Sequence, residues 1–185
     1  MPPEWRLRSE QVAAAVVDTC NLEVLQLYMR YGLDVNTGVI SAPSLLYAAV
    51  SIGCEPMTQL LLERGADPNV SGPLSLEGED MLTIAAGLQQ LGIVRLLLKH
   101  GADVHRSWAL HEAARLGDIA IAELLLEAGA DFEKEIDDEE YDLVRGDSAG
   151  PLTMAGTPGQ FARIAHQEAF AAWMDEKVLN LLLQR

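Results

Sequence analysis

Apolar residues along this chain cluster in a pattern that returns. Triple-leucine runs stand at Leu60-Leu61-Leu62, Leu96-Leu97-Leu98 and Leu124-Leu125-Leu126. After two intervening residues each is followed by Gly-Ala-Asp, beginning at Gly65, Gly101 and Gly129, and a looser copy begins at Gly32. These glycines recur after 33, 36 and 28 residues. One stretch shows the elements plainly. Residues 109–116 predict a helix that Gly117 ends, since glycine takes the left-handed conformation a helix C-terminus needs. A second helix over 119–127 puts Ile121, Leu124 and Leu125 on one face, and Gly129 ends it in the same way. Self-similarity at this period predicts an all-α solenoid of helix–turn–helix units stacked along one continuous core.

Aligned by register, the units fall at about 11–36, 44–69, 80–105, 108–131 and 157–185, making one repeat domain over 1–185 with atypical units at both ends. The spacing of 36 places extra residues in the turn-rich stretch 71–78, a longer loop. The spacing of 28 predicts a stunted connection before Trp108, with a notch beside it. An acidic insertion covers about 133–156. After it, the register of the fifth unit is ambiguous, and one long helix over 160–174 acting as a cap is one reading.

The strings Ala109-Leu110-His111-Glu112-Ala113-Ala114 and Leu124-Leu125-Leu126 followed by Gly129-Ala130-Asp131 resemble the ankyrin repeat. The resemblance is good over 11–131 and poor over 157–185. It implies a curved slab whose inner helices and loop tips form a concave binding face. Carried over to this chain by register, the position that stands second after Ala85-Ala86 and Ala113-Ala114 points into that face and holds Thr19, Ile52, Leu88, Leu116 and Ala165 in the five units. Three consecutive aliphatic residues there, Ile52, Leu88 and Leu116, predict an apolar stripe for another protein, such as one presenting a helix. Arg115 adds a charge, Gly87 a gap, and Trp108 a candidate anchor in the notch, with filling of the lost loop's space as the competing role for Trp108. Ile40, Leu76 and Glu77 are candidate contacts at loop tips.

Composition narrows the partner. The chain has 185 residues, is 49% hydrophobic and carries a net charge of −15. Such acidity argues against nucleic acid and anionic membrane. Asp137, Asp138, Glu139 and Glu140 are candidate contacts for a basic partner, and a solvated charge run is the plainer reading. No apolar run approaches the roughly 20 residues of a membrane helix, and the N-terminus lacks a signal-peptide layout. A cytoplasmic or nuclear monomer is therefore expected. Cys20 and Cys54 are expected as two small buried thiols of a reducing compartment, with a disulfide as the alternative.

Catalytic chemistry is hard to find. His100, His105, His111 and His166 lack zinc-site spacing, and no nucleophile elbow or phosphate loop is present. His111 has a structural hydrogen-bonding role by resemblance. No metal and no cofactor are expected. The alternative to a protein-binding scaffold or adaptor is a small-molecule binder or unusual enzyme, with a pocket near the fourth and fifth units drawing on His166, Trp173 and Asp175. An enclosed cavity there would favour that alternative and an open groove would favour the scaffold.

Overall fold

A computed structural model of the chain describes residues 19–36, 43–70, 80–136 and 156–183. Among them lie nine α-helices and no β-strand. The helices are α1 (Leu22–Arg30), α2 (Leu45–Ser51), α3 (Glu55–Glu63), α4 (Met81–Gly87), α5 (Leu91–Lys99), α6 (Ala109–Leu116), α7 (Ile119–Glu127), α8 (Pro158–Ile164) and α9 (Glu168–Leu183). The short inner helices α2, α4, α6 and α8 pack in series, and the outer helices α3, α5 and α7 form a second layer behind them. The fold is thus the all-α repeat solenoid that the leucine and glycine spacing predicts.

The helices start and stop where their sequences direct. The side chains of Asn21, Ser44, Asp80 and Asp118 accept the backbone N–H groups of Val24, Tyr47, Thr83 and Ile121, satisfying donors that a helix N-terminus leaves open. At the far end of each outer helix the Gly-Ala pair closes the turn. The Ala66, Ala102 and Ala130 N–H groups bond back to the carbonyls of Leu61, Leu97 and Leu125. Leu61, Leu97 and Leu125 are themselves fully buried. In the inner layer, Ala85, Ala86, Ala113 and Ala114 are also fully buried, and their small side chains let neighbouring helices approach.

Successive units are also tied by their turns. Asn36 Oδ1 accepts the Asp67 N–H at 3.0 Å, and Asn69 Oδ1 accepts the Asp103 N–H at 2.8 Å. Asn69 Nδ2 donates to the Gly101 carbonyl at 3.0 Å. The next unit has His105 in place of asparagine, and there the Lys134 ammonium donates to the His105 carbonyl at 3.2 Å.

Three expectations are corrected. The fifth unit is not one long helix over 160–174 but two helices, α8 and α9, with His166 at the turn between them. The extra residues lengthen the second helix to 16 residues and leave the first at seven. No notch opens beside Trp108: a 3-10 turn (Val104–Arg106) leads directly into α6, and the indole is 1% exposed. Finally, Cys20 and Cys54 are joined as a disulfide, with Cα atoms 6.0 Å apart, tying the first unit to the second. The pairing removes cysteine usage as a reason to place the chain in a reducing compartment. The inner part of the first unit (11–18), the loop-tip candidates Ile40, Leu76 and Glu77, and Asp137, Asp138, Glu139 and Glu140 lie outside the described residues.

The inner-to-outer turns use glycine at Gly53 and Gly117 but not elsewhere. Cys20, Gln89 and His166 adopt φ of 50°, 56° and 58° at the equivalent positions. A β-carbon is strained there. Gln89→Gly is expected to raise stability by about 1 kcal/mol, the relief of strain exceeding the added unfolded-state entropy. Urea unfolding at pH 7 checks this, and an unchanged or lower midpoint counts against it.

Candidate protein-binding surface

The surface is built at the C-terminal ends of the inner helices. Ile52 and Leu88 cap α2 and α4, at the point where the chain turns back toward the outer layer. That position points their side chains out of the stack rather than into it. Ile52 is 46% exposed and Leu88 49% exposed, although both helices bury nearly everything else apolar that they carry. Leu116, the last residue of α6, is half-buried. Adjacent packed helices lie about 10 Å apart, so α2, α4 and α6 in series extend the row over roughly 20 Å. The row's continuation, Ala165 at the end of α8, is small and half-buried.

Two neighbouring residues behave differently from expectation. Arg115 is not a free cation. Its guanidinium binds the Glu112 carboxylate, Nη2 to Oε2 at 2.7 Å and Nε to Oε2 at 3.1 Å, and Glu112 is buried. A β-carbon on Gly87 would lie 3.2 Å from Glu112 Oε2, so that carboxylate already fills the gap above Gly87. The Glu112–Arg115 pair thus forms a flat, internally neutralised patch beside Leu88.

Trp108 is no surface anchor. The Thr83 hydroxyl donates to Asp80 Oδ2 at 2.7 Å and accepts the Trp108 N–H at 2.9 Å. Ser107 Oγ lies 3.1 Å from the same Thr83 oxygen and accepts the Ala109 N–H at 3.1 Å. Ser107 and Thr83 are both buried. This hydroxyl relay replaces the missing loop and holds the indole inward, so Trp108 takes the space-filling role.

His111 sits at the base of the insertion. It is buried, and its Nε2 lies 2.9 Å from the Lys134 carbonyl. A carbonyl only accepts, so Nε2 carries the proton. The imidazole meets the Phe161 ring edge-on at 4.9 Å. It thereby links α6 to α8 and to the strand-like bridge between Ile136 and Gly156 that closes the insertion. Burial lowers the His111 pKa to about 4, more than the Lys134 carbonyl, the Gly156 backbone and the Glu112 carboxylate can offset, and the Lys134 ammonium pushes in the same direction as burial.

Between the fourth and fifth units lies a groove of about 390 Å³, floored by Phe132, Met174, Val178 and Leu182. It is open to solvent. Of the three residues named for a pocket, only Asp175 lines it, and that carboxylate is bonded to Arg163. His166 is an exposed turn residue, and Trp173 packs against Phe170 at 5.2 Å. Among the described residues no cluster of histidine, cysteine and carboxylate side chains could hold a metal ion, and no helix is long and apolar enough to cross a membrane.

Comparison with known proteins supplies a family. A model of ankyrin repeats matches three copies, over residues 12–107 and 45–136. The B-cell lymphoma 3 protein homolog of Mus musculus is 40% identical over 91 residues, covering 46% of this chain and 20% of that protein. A putative ankyrin repeat-containing protein of Treponema pallidum (strain Nichols) is 35% identical over 104 residues, 49% of this chain and 34% of that protein. A putative ankyrin repeat protein of Fowlpox virus (strain NVSL), FPV014, is 27% identical over 118 residues, 62% of this chain and 26% of that protein. This chain therefore spans between a fifth and about a third of the length of these relatives.

Proposed function

Because the chain belongs to the ankyrin repeat family, whose repeats generally bind other proteins, we propose that it is a protein-binding scaffold or adaptor. Its contact surface is the row formed by Ile52, Leu88 and Leu116. The observation that carries this reading is the exposure of Ile52 and Leu88 at the ends of helices whose other aliphatic residues are buried or half-buried. Each leaves roughly half its surface in water, which costs hydrophobic free energy that a bound partner would recover. A helix laid along the row would meet an aliphatic side chain about every 10 Å. The Glu112–Arg115 pair offers a polar rim whose charges are already matched. The acidic balance of the chain favours a basic partner by raising the rate of encounter, an effect that weakens with salt.

The open groove between the fourth and fifth units, lacking His166 and Trp173, has the form of a docking surface more than of a closed small-molecule pocket. The experiment for the scaffold reading is hydrogen exchange on the chain with and without a partner captured from its native cell. Protection is expected at the ends of α2, α4 and α6, around Ile52, Leu88 and Leu116. Protection confined to the outer helices α3, α5 and α7 would contradict it.

A further inference from the structure

A second apolar surface remains open, at the opposite edge of the slab from the first unit. Leu179, Leu182 and Leu183 are 57%, 46% and 76% exposed. They are three of the seven large hydrophobics exposed among the described residues, and all three sit on the last two turns of α9. Their spacing puts them on adjoining rows of one helix surface. Met174, Val178 and Leu182 follow one another at four-residue intervals and form one wall of the groove, while Phe132, from the turn after α7, forms the other. From Met174 to Leu182 the wall runs about 12 Å, a little over two helical turns.

The rim of this apolar floor is acidic. Among the described residues of the lining, Arg163 and Asp175 neutralise one another, with Arg163 Nη2 at 2.7 and 2.6 Å from the two Asp175 oxygens, and Glu133 adds a further carboxylate. We propose that the groove docks an amphipathic helix of a second protein, one whose leucine-like side chains at helical spacing are flanked by lysine or arginine. Charge decides between this occupant and another copy of the same chain. Two molecules of net charge −15 repel one another and would add a second Glu133 to the contact, whereas a basic helix is drawn to that carboxylate and to the negative field of the chain. This site is separate from the Ile52–Leu88–Leu116 row and does not depend on it, so the two can succeed or fail independently.

The test uses the full chain, labelled with nitrogen-15, and a synthetic leucine–lysine helix of about five turns with leucines at i, i+3, i+4 and i+7. A peptide of the same composition in scrambled order is the control. Saturable shifts are expected at Phe132, Glu133 and residues 174–182, with weaker binding to the scrambled peptide. The double variant Leu179→Glu/Leu182→Glu should lower the affinity roughly tenfold or more. Its melting curve should match that of the wild type, since both side chains are about half exposed. Ile52→Glu/Leu88→Glu should leave this affinity unchanged. Equal binding by the Leu179/Leu182 variant, or equal binding of the scrambled peptide, overturns the proposal. So does a wild-type dimer in sedimentation that the Leu179/Leu182 variant dissolves.

Discussion

Replacing Trp108 by alanine is expected to destabilise the chain by about 3–5 kcal/mol, the usual cost of removing a buried indole from a packed core. For a chain of this length that corresponds to a fall in melting temperature of roughly 6–20 °C. The reason is local. Trp108 is 1% exposed and follows directly on Ser107, whose hydroxyl joins Thr83 and Asp80 in the relay that substitutes for the shortened loop. Without the indole, the fourth unit keeps its polar link to the third but loses the volume between them. An exposed tryptophan would behave differently, since substitutions on the surface usually change stability by no more than about 0.5 kcal/mol. Thermal and urea unfolding of Trp108→Ala separates the two cases, and a melting curve like that of the wild type would show that the indole is not in the core. Stacked repeats can also unfold in stages, so circular dichroism should be paired with Trp173 fluorescence to show whether the fifth unit loosens before the rest.

Acid should weaken the same region through His111. Its folded pKa, about 4, lies below the ordinary value of 6.5. The folded chain therefore binds a proton less readily than the unfolded chain. The stability this group supports is fully present above about pH 6.5 and is lost as the pH falls from 6.5 toward 4. At about 1.4 kcal/mol for each tenfold change in proton affinity, the loss across that window is roughly 3 kcal/mol. Protonation adds a charge to an imidazole packed against Phe161 and close to the Lys134 ammonium, and the Glu112 carboxylate that acts on it among the described residues is already paired with Arg115. Stability measured by urea unfolding from pH 7 to pH 4.5 should fall in the wild type. It should fall distinctly less in His111→Gln, which retains an N–H for the Lys134 carbonyl but does not titrate. Parallel curves for the two chains would assign the acid sensitivity to carboxylates elsewhere.

How much of this was legible depends on how local each cause is. The leucine triplets and Gly-Ala-Asp turns are local, and they placed α3, α5 and α7 because one glycine in the left-handed conformation is enough to end a helix. The fifth unit escaped the same reading for the same reason. Its turn has no glycine, and His166 takes the left-handed conformation in its place, so nothing in the sequence marked the boundary between α8 and α9. Trp108 was read with two roles because its burial depends on how the chain closes after losing a loop. The relay from Asp80 through Thr83 to Ser107 spans 27 positions, and no local pattern displays it. The Arg115 charge, the space at Gly87 and the Cys20–Cys54 bond are likewise settled by what lies across a helix pair. The exposure of Ile52 and Leu88 follows from their register at the C-terminal ends of two inner helices. The groove under α9 had no counterpart in the sequence reading beyond the place named for a pocket, since it arises from Phe132 meeting a helix whose start was not marked.

The measurement that bears most directly on the scaffold reading is affinity capture from the native cell with the wild type and with Ile52→Glu/Leu88→Glu, at low and moderate salt, identified by mass spectrometry. Both substituted residues are about half exposed, so the variant should fold and melt like the wild type. At least one protein should be held by the wild type and lost from the variant, with capture weakening as salt rises if the partner is basic. A variant that folds normally and captures the same proteins as the wild type would contradict the assignment of binding to the Ile52–Leu88–Leu116 row.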